Sequence, residues 1–201
     1  MKSSFVALVW LFAVLSWSTP ARAGEPHTHD GFFLRLSGGV GYASTSEDFE
    51  AGELKVSGPS GDANLAIGGV VSPNLALHAT LWAWALSDPD VEFENLSSEL
   101  NGDVTLSGFG GGLTYYFAPS NVYLSGSVGA AVMEVDFDGG PEAESDTGLA
   151  VDFTIGKEWW VGNNWGLGLA GALGFHSVPD QGGDENLTGT SVGLRFSATL
   201  N

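Results

Sequence analysis

Large apolar residues recur at every second position along most of this chain, with glycine, alanine, serine or threonine between them. Residues 191–200 put Val192, Leu194, Phe196, Ala198 and Leu200 on one side and Ser191, Gly193, Arg195, Ser197 and Thr199 on the other. Residues 165–176 set Trp165, Leu167, Leu169, Gly171, Leu173 and Phe175 against Gly166, Gly168, Ala170, Ala172, Gly174 and His176. Residues 32–42 set Phe32, Leu34, Leu36, Val40 and Tyr42 against Phe33, Arg35, Ser37, Gly39 and Gly41. A period of two is the mark of a strand with one apolar face. Past residue 23 no helical period competes with it. The pattern predicts eight strands, at about 32–43, 63–72, 75–86, 103–117, 122–135, 147–158, 165–176 and 189–200. Between Leu106 and Phe109, and again near Met133, the alternation slips, and β-bulges are expected there.

The connections alternate in length. Ser72-Pro73-Asn74, Ala118-Pro119-Ser120-Asn121 and the segment around Gly162-Asn163-Asn164 are short and rich in turn-forming residues. Residues 44–62, 87–102, 136–146 and 177–188 are long and read as loops. Tight turns at one end and long loops at the other characterise up-and-down barrels of the outer membrane. The faces agree: glycine and alanine with almost no lysine or glutamate would make a poor water-facing exterior. The oily face therefore meets lipid, and the small face lines a lumen that side chains just fill in an eight-stranded barrel. Closure also satisfies every backbone group, as a bilayer demands. The fold class is thus all-β, an eight-stranded antiparallel up-and-down transmembrane β-barrel. Trp159, Trp160 and Trp165 flank the third short turn, and Tyr115, Tyr116 and Phe117 the second; together they are expected to form a periplasmic-side aromatic girdle. Trp82 and Trp84 are expected to point inward.

Composition adds the compartment. Lys2, the apolar run Phe5 to Trp17 and Ala21-Arg22-Ala23 have the layout of a cleaved export signal over residues 1–23. A short polar segment, 24–31, then leads into the barrel, 32–201. The absence of cysteine excludes a lipoprotein anchor and a disulfide framework and fits a bacterial envelope. Six Lys or Arg stand against 24 Asp or Glu. Cleavage would remove Lys2 and Arg22, leaving 4 minus 24, or −20. Such a chain repels nucleic acid.

"GFFLRLSGGVGYA", "IGGVVSPNLALHATL", "GGGLTYYFAPSNVYLSGSVGA", "GKEWWVGNNWGLGLAG" and "SVGLRFSATLN" together resemble the OmpA/OmpX-like family of small outer-membrane β-barrels. The resemblance spans essentially the whole mature chain. It implies the barrel alone, without a periplasmic peptidoglycan-binding domain. It also implies a C-terminal assembly signal read by the barrel-insertion machinery, matched here by Ser191, Gly193, Phe196 and Ala198.

Candidate chemistry is sparse. Arg35, Arg195, Asp152 and Glu158 fall on inward positions and are expected to form a lumenal ion-pair network or to hydrogen-bond trapped water, plugging the barrel. His78 and His176 also face inward, which suits no Ser/His pair at the lipid interface. His27-Thr28-His29-Asp30 offers loose metal ligands on a polar terminus. All four long loops are acidic, a surface for solvation or for weak divalent cations bridging to lipopolysaccharide. The sequence therefore reads as a monomeric integral outer-membrane barrel of a Gram-negative cell, with no cofactor and no catalysis. Its role is structural or surface-interacting, among outer-membrane lipids and lipopolysaccharide. Alternatives are a lipid A-modifying barrel enzyme, a narrow ion-conducting channel and a soluble lipocalin-like carrier.

Overall fold

A computed structural model describes residues 29–201 except 50, 51, 94, 95, 138, 141 and 182–185. The strands are β1 (Phe32–Phe49), β2 (Gly52–Ser72), β3 (Leu75–Ser87), β4 (Asp90–Phe93), β5 (Leu96–Glu99), β6 (Gly102–Phe117), β7 (Val122–Phe137), β8 (Glu142–Glu144), β9 (Gly148–Trp160), β10 (Trp165–Pro179) and β11 (Asn186–Leu200). β1, β2, β3, β6, β7, β9, β10 and β11 form the wall, each antiparallel to its neighbour in sequence, and β11 closes the ring on β1. The remaining three are additions at the long-connection end: β4 pairs β2, β5 pairs β4, and β8 pairs β7.

The expected faces hold. Val40, Phe109, Val128, Leu149, Ile155, Leu169, Leu194 and Phe196 are exposed on the outside, whereas Arg35, Asp152, Arg195 and Thr199 are buried within. On β10 the apolar outer positions run from Trp165 to Phe175, the length a tilted strand needs to cross hydrocarbon, about 9–11 residues. At the short-turn end Asn74 and Asn121 adopt φ of 64° and 55°, a left-handed conformation that asparagine tolerates better than most residues.

Two expectations fail for one physical reason. Residues 44–62 are not a loop: all of β1 pairs with β2, from Phe32↔Gly69 to Phe49↔Gly52. No bulge interrupts β6 or β7 either, since their register is continuous from Gly102↔Phe137 to Phe117↔Val122; among the described residues the register shift falls at Val70/Ser72. Beyond the apolar belt the strands continue but the faces exchange polarity. On β6 and β7 the inward residues become Val104, Leu106, Ala131 and Met133, all buried, while Glu134 and Asp136 turn outward and are exposed. The alternation slips because the surrounding medium changes from lipid to water. With Ala43, Trp82, Trp84, Leu86, Ala150 and Val178 the inward residues make an apolar core above a polar lumen. Trp82 and Trp84 do point inward. Residues 87–102 likewise contain the β4–β5 hairpin, and 136–146 contain β8.

Inward glycines permit this narrow bore. A Cβ on Gly110 would lie 2.0 Å from the Val128 carbonyl oxygen, and one on Gly129 2.1 Å from that of Phe109. Gly110→Val is therefore expected to cost the folded barrel about 1–3 kcal/mol, the range for overpacking a tight site, measurable as a lower urea midpoint in lipid vesicles.

Candidate functional site

The lumen holds two polar clusters separated along the bore. Register places Arg35 beside Thr199 and Arg195 beside Gly39, so the arginines stand four residues apart along β1, about 13 Å at 3.3 Å per residue. They do not share the single network expected of Arg35, Arg195, Asp152 and Glu158.

The Arg195 cluster is complete. Its Nε donates to Asp62 Oδ1, Nη2 to Asp62 Oδ2 at 2.8 Å and to Asp152 Oδ2 at 2.6 Å, and Nη1 to Asp152 Oδ1 at 2.9 Å and Thr154 Oγ1 at 3.0 Å. All five N–H groups of the guanidinium are engaged. Asn64 Nδ2 and Thr154 Oγ1 also donate to Asp152. Asp62 was hidden from sequence reasoning because it fell in the presumed loop. Extending the inward parity of Asn64 and Ala66 back by one step along β2 reaches it.

Among the described residues Arg35 has no carboxylate partner. Its Nη2 donates to Thr114 Oγ1 and Ser125 Oγ, both at 2.9 Å, and its guanidinium lies 4.4 Å from the Tyr123 ring centre. Glu158 instead accepts from Thr199 Oγ1 at 2.6 Å and Tyr116 OH at 3.1 Å. His78 bonds Thr80 at 2.7 Å and Thr114 at 3.0 Å.

Tyr116 is therefore not in the girdle: it is buried in the lumen, as alternation requires of a residue between outward Tyr115 and Phe117. Trp160 also turns to the bore, its ring 5.2 Å from His29. Tyr115, Phe117 and Trp159 are exposed on the outer wall and Trp165 is half-buried there; Phe32 joins them on the outer face. Lys157 reaches from this belt to donate to the Ser120 carbonyl at 2.6 Å, the snorkelling geometry of a cation at an interface.

His29 closes the short-turn mouth. It is buried, stacks on Tyr116 with ring centres 3.5 Å apart, and bonds Asn121 Oδ1 through Nε2 at 2.6 Å. His27 and Thr28 of the proposed metal quartet, and the export signal, lie outside the described residues. Among the described residues no three His, Cys, Asp or Glu side chains converge as a metal site. Ser191, Gly193, Phe196 and Ala198 lie on β11, the strand that closes the ring.

Above Arg195 a cavity of about 10 Å³ is lined by Asp62, Trp82, Trp84, Asp152, His176 and Arg195. That is room for about one water molecule. Tyr116, Tyr123 and Phe33 fill the bore below it, and Leu86, Val104 and Met133 above.

A closed ring of eight antiparallel strands, with an apolar belt, a packed polar lumen and extended hairpins at one end, is a small transmembrane β-barrel of the outer-membrane type. No protein-family model matches the chain, and no characterised protein matches it in sequence. Among solved structures it is similar to Neisserial surface protein A (NspA) at 17% identity and a TM-score of 0.52, over 85% of this chain and 96% of that one. It is similar to outer membrane protein OprG of Pseudomonas aeruginosa at 12% identity and 0.50, over 88% and 100%. It is also similar to outer membrane protein AlkL, solved in lipid bilayers, at 13% identity and 0.50, over 92% and 96%. At these identities the likeness is one of fold.

Proposed function

We propose that the protein is a monomeric integral outer-membrane barrel of the OmpA/OmpX-like kind, exported by a cleaved signal and inserted by the barrel-assembly machinery. Its lumen is structural and non-catalytic, and its working part is an acidic head held above the cell surface. One observation carries this reading: the separation of charge along the bore axis. Arg35 and Arg195 are buried in the lumen and Lys157 sits at the short-turn end, so Lys55 is the one strong cation of the head. Every described carboxylate other than Asp30, Asp62, Asp152 and Glu158 lies at the long-connection end. Strands that outrun the bilayer to present such a surface suit contact with partners, or with divalent cations and the anionic lipopolysaccharide around them.

The test is fractionation of cells expressing the full chain, with membrane samples run on a gel with and without boiling and intact cells treated with protease. A heat-modifiable outer-membrane band, cleaved from outside at the long-connection end, is the expected result. A soluble, unshifted protein overturns the reading. The filled bore leads to a further expectation of silence in planar-bilayer recordings; steady single-channel steps would make the lumen a conductor. His78 and His176 lie inside the bore, so deleting the gene is expected to leave the lipid A acyl pattern unchanged.

A further inference from the structure

Resting on the surface-interaction reading, we propose that the outer edge of β5 binds an extended segment of a partner protein in which apolar and basic residues alternate. Above the membrane belt β2 loses β3 as its neighbour at Ser60↔Leu86 and takes β4 instead, from Leu54↔Phe93 to Ser57↔Asp90. β5 then pairs β4 from Leu96↔Phe93 to Glu99↔Asp90. Among the described residues β5 has no strand on its other side. Every second residue of it therefore turns a backbone N–H and C=O to solvent, the arrangement that accepts an added strand.

The two faces of this small sheet differ, and the difference defines what fits. One face carries the row Leu54, Phe93 and Leu96 and the row Val56, Val91 and Ser98. Val56 packs on the apolar core, and Leu96, at the free edge, is 75% exposed. The apolar surface thus runs from the barrel mouth out to the edge and stops there uncovered. The other face carries Glu92 and Asp90, both exposed. Lys55 stands opposite Glu92, while Asp90 has Ser57 opposite. A strand added to β5 would set its alternate residues beside Leu96 on one face and, on the other, beside positions Ser97 and Glu99, which stand opposite Glu92 and Asp90 one strand further in. A second copy of this chain is disfavoured, because its own edge would bring like charges together.

The experiment uses the full chain in lipid nanodiscs and three capped probes. These are a peptide of alternating lysine and valine, the same residues in two blocks, and the alternating peptide with every second backbone nitrogen methylated. The alternating peptide is expected to bind at least about tenfold more tightly than the other two. Asp90→Lys with Glu92→Lys should remove that preference by a similar factor, while Glu142→Lys, at the distant β8, should leave it. Equal binding of all three probes overturns the edge and leaves the acidic surface as a general polycation attractor. No binding of any probe overturns the edge and counts against the acidic head as a contact surface. Cross-linked dimers through β5 would show a second copy in the partner's place and also overturn the proposal.

Discussion

Arg195→Met is expected to cost the barrel about 3–5 kcal/mol, because it strands Asp62 and Asp152 in the lumen without their shared guanidinium. The cost reflects the charges left behind more than the strength of the cluster. In the triple variant with Asp62→Asn and Asp152→Asn the bore holds no unpaired carboxylate at that level, and most of the loss is expected to return. Urea titration of the heat-modifiable band in lipid vesicles measures both. If the single and triple variants unfold at the same midpoint, the cluster does not stabilise the fold as its geometry implies.

Val128→Arg and Glu134→Arg, six residues apart on the same outward face of β7, should behave in opposite ways. Val128 is exposed amid the apolar belt, and a midplane arginine on a barrel's lipid face costs about 2–4 kcal/mol. Glu134 lies past the point where the faces exchange polarity, so arginine there should change stability by less than about 1 kcal/mol. Similar costs at both sites would mean that the water boundary on β7 lies elsewhere.

Those two sites also show what could be read without coordinates. The eight wall strands and the outward set on β1, β10 and β11 follow from alternation alone, because lipid imposes one strict rule: large apolar residues every second place. Asp152, Glu158, Arg35 and Arg195 were legible as lumenal by the same parity. What failed lay where lipid no longer sets the rule. Residues 44–62 carry polar groups on both faces once the strand is in water, so β1 and β2 looked like loop although their ladder continues. Leu106 and Met133 looked like bulges because an apolar core had replaced a polar lumen. Tyr116 and Trp160 were misplaced by treating neighbouring aromatics as one cluster when adjacent strand residues must face opposite ways. The division of the charges into a saturated Arg195 cluster and a separate Arg35 and Glu158 depended on distances across the bore, which no single strand encodes. His29 as a stopper for the mouth had no periodic signal at all.

The exchange of faces fixes how deep the barrel sits. A shift toward the cell interior would drag Glu134 and Asp136 into hydrocarbon, and a shift outward would lift the Tyr115, Phe117 and Trp159 ring out of its interface; each is opposed at once by the other boundary. The molecule is thus held at one elevation, like a float with two waterlines. From Tyr42 at the upper margin of the belt to Phe49 at the last paired residue, β1 climbs seven steps, at most about 23 Å. That distance is rigid paired backbone, so whatever meets the β5 edge does so at a set height over the bilayer, beyond the lipid phosphates and without a tether that swings.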